Sequence, residues 1–463
     1  MCSLGIITNR FFINNQEDTP LKLKTSSLLI AGALFGAAVL PAQANNEAMM
    51  DLLKVLRDQG TITEANYDLL TNAAKADKES TEATKAKVAK VEKDANKVKI
   101  TTKGKLKFEG EDWSFQPIGR VMWDAIDTDE DSSGADDFQG TELRRARLGF
   151  QGKIYDWGYK FEGDFAKGDS SIKDANVSYD TKLKGMKAGF KLGQSHIGYG
   201  LNTKISSKYM TFMDRPLFAD SNLSPARESG VVASLAEKDY KWALVTSLTN
   251  GTLDGGSTED NGSTFAARGS FLPYKKDKTH LVQIGAGFLT KGANNDKFSY
   301  RQRLVSHKDH KKWLDTNVAE HDGSNAYTLD ALGIYGPFHA MAEYNDYTIE
   351  AKNAKDVDTT GYAVELGYFI TGESIKWKKG YLSGITPKSP SGAWEVAARF
   401  ESMELDEHLA KDEVDKFTIG LNYYPTQNTR LMVNYDHVTD LKVNGDNVDF
   451  EPSSLKFRAQ AYW

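Results

Sequence analysis

From residue 101 to the end of the chain, apolar and polar residues alternate with a period of two, the spacing of the two faces of a β-strand. In Tyr159-Lys160-Phe161-Glu162-Gly163-Asp164-Phe165, the aromatic residues occupy one face and the charged residues occupy the other. The same alternation recurs in residues 362–369, 394–401, 417–423 and 431–436. This pattern predicts an all-β structure whose strands have one polar and one apolar face.

Three features favour a membrane-spanning barrel over a soluble β-sandwich, which shows similar alternation. The apolar faces begin or end in Tyr, Trp or Phe, as the interfacial girdles of outer-membrane barrels do. The last strand alternates from Leu455 to an aromatic residue, Trp463, which is the usual assembly signal of such barrels. The polar loops 127–140, 250–263 and 352–360 are long, whereas the 424–428 connection is short, which is the expected barrel asymmetry.

The first 44 residues have the features of a secretory signal peptide. Lys22 and Lys24 precede an apolar run from Leu28 to Leu40, and Pro41-Ala42-Gln43-Ala44 supplies the small-residue cleavage pattern. We expect cleavage after residue 44, because a run of about 13 residues is too short to span about 30 Å of hydrocarbon as a helix. No other segment approaches roughly 18 consecutive apolar residues, so the rest of the chain is either soluble or crosses a membrane as a barrel.

Residues 45–100 predict a short helical segment. Apolar residues recur there at helical spacing: Met49, Leu52, Leu53, Leu56 and Leu69. Gly60-Thr61 interrupts the pattern, and Thr61 to Glu64 has capping-box spacing for a second helix. The following stretch is rich in Ala, Lys and Glu, which is typical of a solvated helix or a weak coiled coil. We expect a periplasmic stalk, a trimerisation segment or a spacer, and the heptads are too few to choose between them.

Several short fragments are spread over most of residues 101–463: Gly119-Arg120, Glu142 to Phe150, Tyr159 to Phe165, Ser206-Ser207-Lys208 followed by Met213-Asp214-Arg215-Pro216, Gly336-Pro337-Phe338, Leu366 to Glu373, and Pro390 to Glu395. Together, and in this order, they resemble the phosphate-selective porin O/P family. The resemblance implies a barrel of sixteen antiparallel strands in the outer membrane of a Gram-negative bacterium, usually a homotrimer, with loops that narrow the lumen. At about 10 residues per strand plus loops, roughly 360 residues can supply that number.

The resemblance also implies an anion filter, with arginines at the constriction and a basic ladder leading to it. The constriction candidates are Arg120, Arg144, Arg145 and Arg147. The ladder candidates are Arg301, Arg303, Lys308, Lys311, Lys312 and Lys208. Guanidinium suits phosphate because it forms planar bidentate hydrogen bonds and stays charged at neutral pH. We therefore expect a passive, anion-selective channel for phosphate or a related oxyanion.

Strict alternation makes the direction of one constriction arginine uncertain. If Leu148 and Phe150 face lipid, then Arg145 and Arg147 face the lumen and Arg144 faces outward. An arginine facing the middle of the bilayer costs roughly 2–4 kcal/mol. We therefore expect either that Arg144 lies at the rim or that a β-bulge re-aims it.

Other functions stay open at this stage. In one alternative, the arginines pair with lumen carboxylates such as Glu162, Asp164 and Asp174, and the protein is a general or differently selective porin on the same barrel. In another, it is mainly a structural tether whose Lys-rich helix touches peptidoglycan. The preferred anion (phosphate, polyphosphate or another), the true start codon and the oligomeric state are not fixed by the sequence.

The sequence contains no enzyme, nucleotide-loop or zinc signature, and it predicts no catalytic residue, cofactor or metal site. The single cysteine, Cys2, precedes the predicted cleavage site, so the mature chain would have no thiol. His307 and His310 lie among lysines, which favours a basic loop over a metal site. The expected partners are small anions, outer-membrane lipid and lipopolysaccharide, and no nucleic acid.

Overall fold

The computed structural model describes residues 43–95, 98–102, 104–130, 137–166, 168, 170–219, 223–253, 262–293, 298–318, 320–406 and 411–463. The predicted signal peptide lies outside the described residues except for positions 43 and 44. Parts of the predicted loops 127–140 and 250–263 also lie outside them. The chain divides into two compact units, Met1–Asn96 and Lys97–Trp463.

The first unit contains two α-helices, α1 (Gln43–Asp58) and α2 (Glu64–Ala95). Gly60, at φ 73°, lies in the break between them, where a positive φ favours glycine. The cap of α2 is Thr63 and not the predicted Thr61: the Thr63 hydroxyl accepts a hydrogen bond from the Asn66 N–H at 3.3 Å. The reason is positional, since Thr63 directly precedes the first helical residue. In the described part of the chain, no helix is both long and apolar enough to cross a bilayer.

The second unit is a closed barrel of 16 antiparallel strands, which confirms the expected fold. In chain order the strands are β1 (Trp113–Asp129), β2 (Gln139–Ile154), β3 (Trp157–Asp164), β4 (Ser171–Leu183), β5 (Met186–His196), β6 (Arg227–Ala236), β7 (Trp242–Thr249), β8 (Thr264–Lys275), β9 (His280–Gly292), β10 (His321–Tyr335), β11 (Phe338–Ala351), β12 (Val357–Phe369), β13 (Ala393–Asp406), β14 (Lys411–Thr426), β15 (Thr429–Val443) and β16 (Ser453–Tyr462).

Each barrel strand pairs with the next one, and β16 pairs with β1 from Ser453↔Asp129 to Tyr462↔Arg120. This last pairing closes the barrel, so the sheet has no free edge and the backbone polar groups of the wall are satisfied within it. Three short strands extend the same sheet: Lys99–Thr101, Lys107–Glu109 and Asp446–Asn447.

The two faces of the wall follow the alternation seen in the sequence. Leu366, Ile419 and Val433 point outward and are exposed, as a lipid-facing surface requires. Arg399 and Asp436 point inward and are buried. Lys184 and Gly185, at φ 49° and 81°, form one of the two-residue turns at one end of the barrel, with the geometry of a type I′ hairpin.

The described residues of three long loops fold into the lumen: 197–219 with 223–226, 298–318, and 370–392. Tyr199 and Phe218 of the first loop share a hydrophobic cluster with Leu304 and Trp313 of the second. A second cluster joins Leu201 and Ile205 of the first loop to Trp377 and Leu382 of the third. The loop predicted at 352–360 is shorter than expected, because residues 357–360 extend β12.

Candidate functional site

A β-bulge decides the direction of Arg144. Met122 on β1 lies opposite Arg145 on β2, whereas the next residue, Trp123, lies opposite Leu143, so Arg144 is the extra residue of the bulge. Leu143 is 41% exposed on the outer face, and the Arg144 Nη2 lies 3.8 Å from Asp214 Oδ1 of the 197–226 loop inside the barrel. Of the two alternatives left by the sequence, the structure has the bulge.

Arg120 and Arg147 are paired with carboxylates. They lie opposite each other on β1 and β2. Both approach Glu162 Oε1, with Arg120 Nη2 at 3.0 Å and Arg147 Nη1 at 3.3 Å. Arg147 Nε also lies 2.8 Å from Asp164 Oδ2, and Arg120 Nη1 donates to Ser207 Oγ at 2.8 Å. For these two arginines, the pairing with lumen carboxylates that the sequence left as an alternative is present.

Arg145 is different, since no carboxylate of the described residues lies within ion-pair distance of it. The residue is 7% exposed, and its Nη1 lies 3.8 Å from Met122 Sδ. The charges that act on it most strongly belong to other arginines, Arg144 and Arg147 among them. A buried cation surrounded by cations is a place where an anion is electrostatically favoured.

Cations on β13–β16 form a second group, which we name the anchoring wall because it holds the lumen loops. Its members are Arg399, Lys416, Arg430, Lys456 and Arg458. Arg458 makes a bidentate pair with Asp124, at 2.7 Å from Nε and 2.6 Å from Nη2. Its third donor, Nη1, donates to the Met213 carbonyl of the 197–226 loop at 2.6 Å.

The two lysines of the anchoring wall bind the 293–320 loop in the same way as Arg458 binds the 197–226 loop. Lys456 Nζ donates to the Val305 carbonyl at 2.8 Å and lies 2.8 Å from Asp214 Oδ2. Lys416 Nζ donates to the Leu304 carbonyl at 2.7 Å and lies 3.1 Å from Glu401 Oε1. These cations therefore fix the positions of the 197–226 and 293–320 loops. Carboxylates pair with four of the five cations of the wall, whereas Arg430 donates to the Met210 carbonyl at 2.6 Å and makes no ion pair with a described carboxylate.

A cavity of about 470 Å³ lies inside the barrel between β1–β3, the 197–226 loop and the 370–392 loop. We name it the basic vestibule, since it is lined by seven basic side chains: Lys105, Arg120, Lys160, Lys204, Lys208, Arg227 and Lys376. Among its described lining residues, the one carboxylate is Glu162. The vestibule is therefore strongly cationic.

Two lysines of the 197–226 loop give the vestibule uncompensated charge. Lys204 Nζ donates to the His196 carbonyl at 3.4 Å, and Lys208 Nζ lies 4.9 Å from the centre of the Tyr462 ring. Neither lies within ion-pair distance of a described carboxylate. Burial lowers the pKa of Lys204 to about 7 and that of Lys208 to about 8. Both ammonium groups are therefore charged in mildly acidic solution and lose charge as the pH rises.

Arg227 and Lys160 share one carboxylate, Asp174. Arg227 Nη2 lies 3.3 Å from Asp174 Oδ2, and Lys160 Nζ lies 2.7 Å from the same oxygen. Arg227 Nε is buried and has no hydrogen-bond partner among the described residues. Lys160 Nζ also lies 3.4 Å from Glu162 Oε2, so the unsatisfied donor of this group is the Arg227 Nε.

The predicted ladder residues fall into different surroundings. Arg301 is exposed, and its Nε lies 3.1 Å from Asp315 Oδ2 across the hairpin of Phe298–Gln302 and Leu314–Val318. Arg303 Nε donates to the Asp309 carbonyl at 2.6 Å, so both arginines are engaged within their own loop.

The ladder lysines are also dispersed. Lys308 Nζ lies 3.5 Å from Glu142 Oε2, and Lys311 Nζ lies 3.6 Å from the centre of the Trp313 ring. Lys312 is exposed to solvent. Lys208 alone of the ladder candidates lines the basic vestibule.

Sequence reasoning missed Lys160, Lys204 and Arg227 as lumen cations. Alternation places Lys160 on the charged face of its strand, but no motif distinguished it from other strand lysines. Lys204 lies in a long loop, where no periodicity indicates direction.

His307 contacts Glu142, and the described residues contain no group of three or more His, Cys, Asp or Glu side chains arranged to hold a metal ion.

The sequence profile of the phosphate-selective porin O and P family matches residues 115–463, which is most of the chain. This chain belongs to that family. The resemblance seen in the sequence fragments is thereby confirmed. The protein is an outer-membrane porin, a channel of the Gram-negative outer membrane.

Individual relatives agree with this membership. Porin O of Pseudomonas aeruginosa is 24% identical over 417 residues, which cover 79% of this porin and 93% of that protein. An uncharacterized protein of Caulobacter vibrioides is 26% identical over 357 residues, covering 73% of this porin and 71% of that protein.

Solved porin structures share the fold. The anion-selective porin from Comamonas acidovorans has a TM-score of 0.51 at 11% identity and covers 76% of this chain and 100% of its own. OmpT of Vibrio cholerae has a TM-score of 0.51 at 12% identity, with 79% and 100% covered. At these identities the two structures support the barrel fold alone.

Proposed function

We propose that this porin is a passive, anion-selective channel for phosphate or a related oxyanion, with a constriction lined by arginines. The observation that carries the proposal is Arg145, a buried lumen guanidinium that has no described carboxylate partner and lies among other arginines. The uncompensated Lys204 and Lys208 of the basic vestibule extend the same positive potential. Basic groups confer anion selectivity when carboxylates do not neutralise them.

The constriction must replace the lost hydration of the anion without holding the anion too tightly to release it. A phosphate that enters a narrow throat loses part of its hydration, and charge-assisted hydrogen bonds must replace it. One pair of unit charges about 4 Å apart contributes about 4 kcal/mol at an effective dielectric constant of about 20. Because Arg120 and Arg147 are already partly neutralised by Glu162, the attraction does not sum over all the arginines, and the anion can leave again.

The barrel wall supports a trimeric assembly as part of this proposal. Strands β3–β7 have 8, 13, 11, 10 and 8 residues, so the two outer strands of this stretch fall below the roughly 9–11 residues that a tilted strand needs to cross the hydrocarbon. This low side of the wall suits contact with neighbouring protomers better than contact with lipid. The taller strands β10 and β14, with 15 and 16 residues, suit lipid contact.

A general or differently selective porin is the second candidate function. The paired state of Arg120 and Arg147 favours it, because these arginines then stiffen the wall without attracting anions. The two candidates differ in the role of Arg145, which has no such pairing.

Planar-bilayer conductance of the refolded full-length porin separates the two candidates. We expect a zero-current potential of anion-selective sign in a potassium chloride gradient, and block of the chloride current by phosphate. Arg145→Ala should weaken both effects, while Arg145→Lys, which keeps the charge, should retain most of the selectivity. Cation selectivity, or a chloride current that phosphate leaves unchanged, contradicts the anion-channel proposal.

A further inference from the structure

The basic vestibule has more room than an inorganic oxyanion needs. Its volume of about 470 Å³ lies within the range of about 300–1,000 Å³ that is typical of pockets for organic small molecules. Inorganic phosphate fills only a fraction of this space. Either water or a larger ligand must fill the remaining space.

The lining of the vestibule includes charged and unsatisfied hydrogen-bond donors. Lys204 and Lys208 have no described carboxylate partner, and the Arg227 Nε is buried without an acceptor. His196, which also lines the cavity, has a buried Nδ1 without a hydrogen-bond partner. The oxygens of a phosphoryl group would supply the acceptors that these donors lack.

The lining also includes neutral side chains that both donate and accept hydrogen bonds. Gln116 on β1 and Gln151 on β2 line the cavity, and Gln151 Nε2 donates to Gln116 Oε1 at 3.3 Å. This single bond leaves most of the hydrogen-bonding capacity of the two amides available, because each amide has two donors and an acceptor oxygen with two lone pairs. Amides of this kind suit hydroxyl groups, which also donate and accept.

Aromatic rings complete the lining. Tyr209 and Tyr462 line the same cavity, with ring centres 5.8 Å apart in an edge-to-face arrangement. Their carbon surfaces can contact the C–H groups of a sugar or a polyol. The vestibule therefore combines cations for a phosphoryl group, amides for hydroxyls and rings for carbon.

We infer that the basic vestibule binds hydroxylated organic phosphates, such as sugar phosphates, more tightly than inorganic phosphate. The phosphoryl group lies against Lys204 and Arg227, and the hydroxyl groups lie against Gln116 and Gln151. This inference rests on the proposed anion-channel function and narrows its substrate class. It predicts that the amides distinguish the organic phosphate from the inorganic ion.

The test compares block of the chloride current by glucose 6-phosphate, inorganic phosphate and glucose in the full-length porin. Two additional amide hydrogen bonds should lower the half-blocking concentration of glucose 6-phosphate about 5- to 10-fold below that of inorganic phosphate. Glucose, which lacks the phosphoryl group, should not block. A half-blocking concentration for glucose 6-phosphate that equals or exceeds that of inorganic phosphate overturns the inference and leaves the anion-channel function standing.

Variants separate the amides from the cations. The double variant Gln116→Met/Gln151→Met keeps the side-chain length but removes the amides, and it should abolish the preference while inorganic phosphate blocks as before. Gln139 is an exposed glutamine elsewhere on β2, and Gln139→Ala serves as the matched control. It should change neither the preference for glucose 6-phosphate nor the block by inorganic phosphate. Equal weakening of both blockers in the double variant contradicts the role of the amides. If neither phosphate compound blocks the unmodified porin, the anion-channel proposal itself fails.

Discussion

The anchoring wall of β13–β16 and the adjoining side of the lumen, on β1–β6, both carry cations, but the anchoring wall uses them to hold the 197–226 and 293–320 loops. Arg458 and Lys456 are neutralised by Asp124 and Asp214 and donate to loop carbonyls. On the β1–β6 side, Arg145 has no described carboxylate partner. The difference teaches that the number of lumen arginines and lysines does not measure anion affinity, because compensation by carboxylates decides it.

The two sides should also differ in what a substitution costs. Removing one partner of a buried pair leaves a stranded charge, which is strongly destabilising. Removing a cation that lies among other cations relieves repulsion instead. Substitutions in the anchoring wall should therefore change stability, and substitution of Arg145 on the β1–β6 side should change selectivity.

The largest effect is expected for Arg458→Ala. The substitution strands the buried Asp124 and releases the Met213 carbonyl, so the free energy of unfolding should fall by about 3–5 kcal/mol. Denaturant unfolding in detergent measures this change. Asp124→Leu/Arg458→Met removes both charges and should recover much of the loss. An unchanged unfolding midpoint for Arg458→Ala would remove the distinction between the two sides.

A smaller effect is expected from pH on the lysines of the vestibule. Because burial lowers the pKa of Lys204 to about 7 and that of Lys208 to about 8, their positive charge is present at lower pH and is lost as the pH rises through these values. Chloride selectivity, measured as zero-current potential, should fall between about pH 6 and pH 9. Chloride is the probe because it does not titrate.

The matched variant for this experiment is Lys204→Arg/Lys208→Arg. Arginine stays charged throughout the range, so the selectivity of the double variant should be independent of pH. A pH profile identical to that of the unmodified porin would show that the decline originates in other groups.

Deletion of Arg144 should have a still smaller effect on stability. Leu143 and Arg145 already lie opposite consecutive residues, Trp123 and Met122, so the deletion restores a regular ladder. We expect a folded barrel whose unfolding free energy changes by no more than about 1 kcal/mol, with reduced anion selectivity. Deleting Ala146 also removes the extra residue, but it places Arg145 opposite Val121 on the outer face, so this variant should be less stable than the Arg144 deletion. Loss of folding in the Arg144 deletion would contradict the bulge.

The smallest effect is expected for the exposed ladder residues. Arg301 is paired with Asp315, and Lys312 is exposed, so Arg301→Ala and Lys312→Ala act on the channel only through the screened field. Conductance should change little at 1 M salt, where the Debye length is about 3 Å, and more at 0.1 M, where it is about 10 Å. A large loss of phosphate block in 1 M salt would place these residues on the ion path and weaken the contrast with Arg145.

Much of the fold was predictable because β-strands show their faces locally. The alternation of Tyr362, Val364 and Leu366 predicted a lipid-facing strand, and all three side chains are exposed on the outer face. The lumen loops were less predictable. The 197–226 and 370–392 loops were not identified as long loops, because irregular segments have no period from which direction can be read.

The sequence by itself determined a membrane-spanning β-barrel, since alternation and aromatic residues are properties of short segments, and its motifs supplied the family resemblance that implied sixteen strands. Only the tertiary structure decided which cations are neutralised. Arg147 and Arg145 are two residues apart on one strand, yet only the first meets Asp164. Compensation depends on carboxylates from other strands and loops, and the closed barrel brings these together across long separations in the chain.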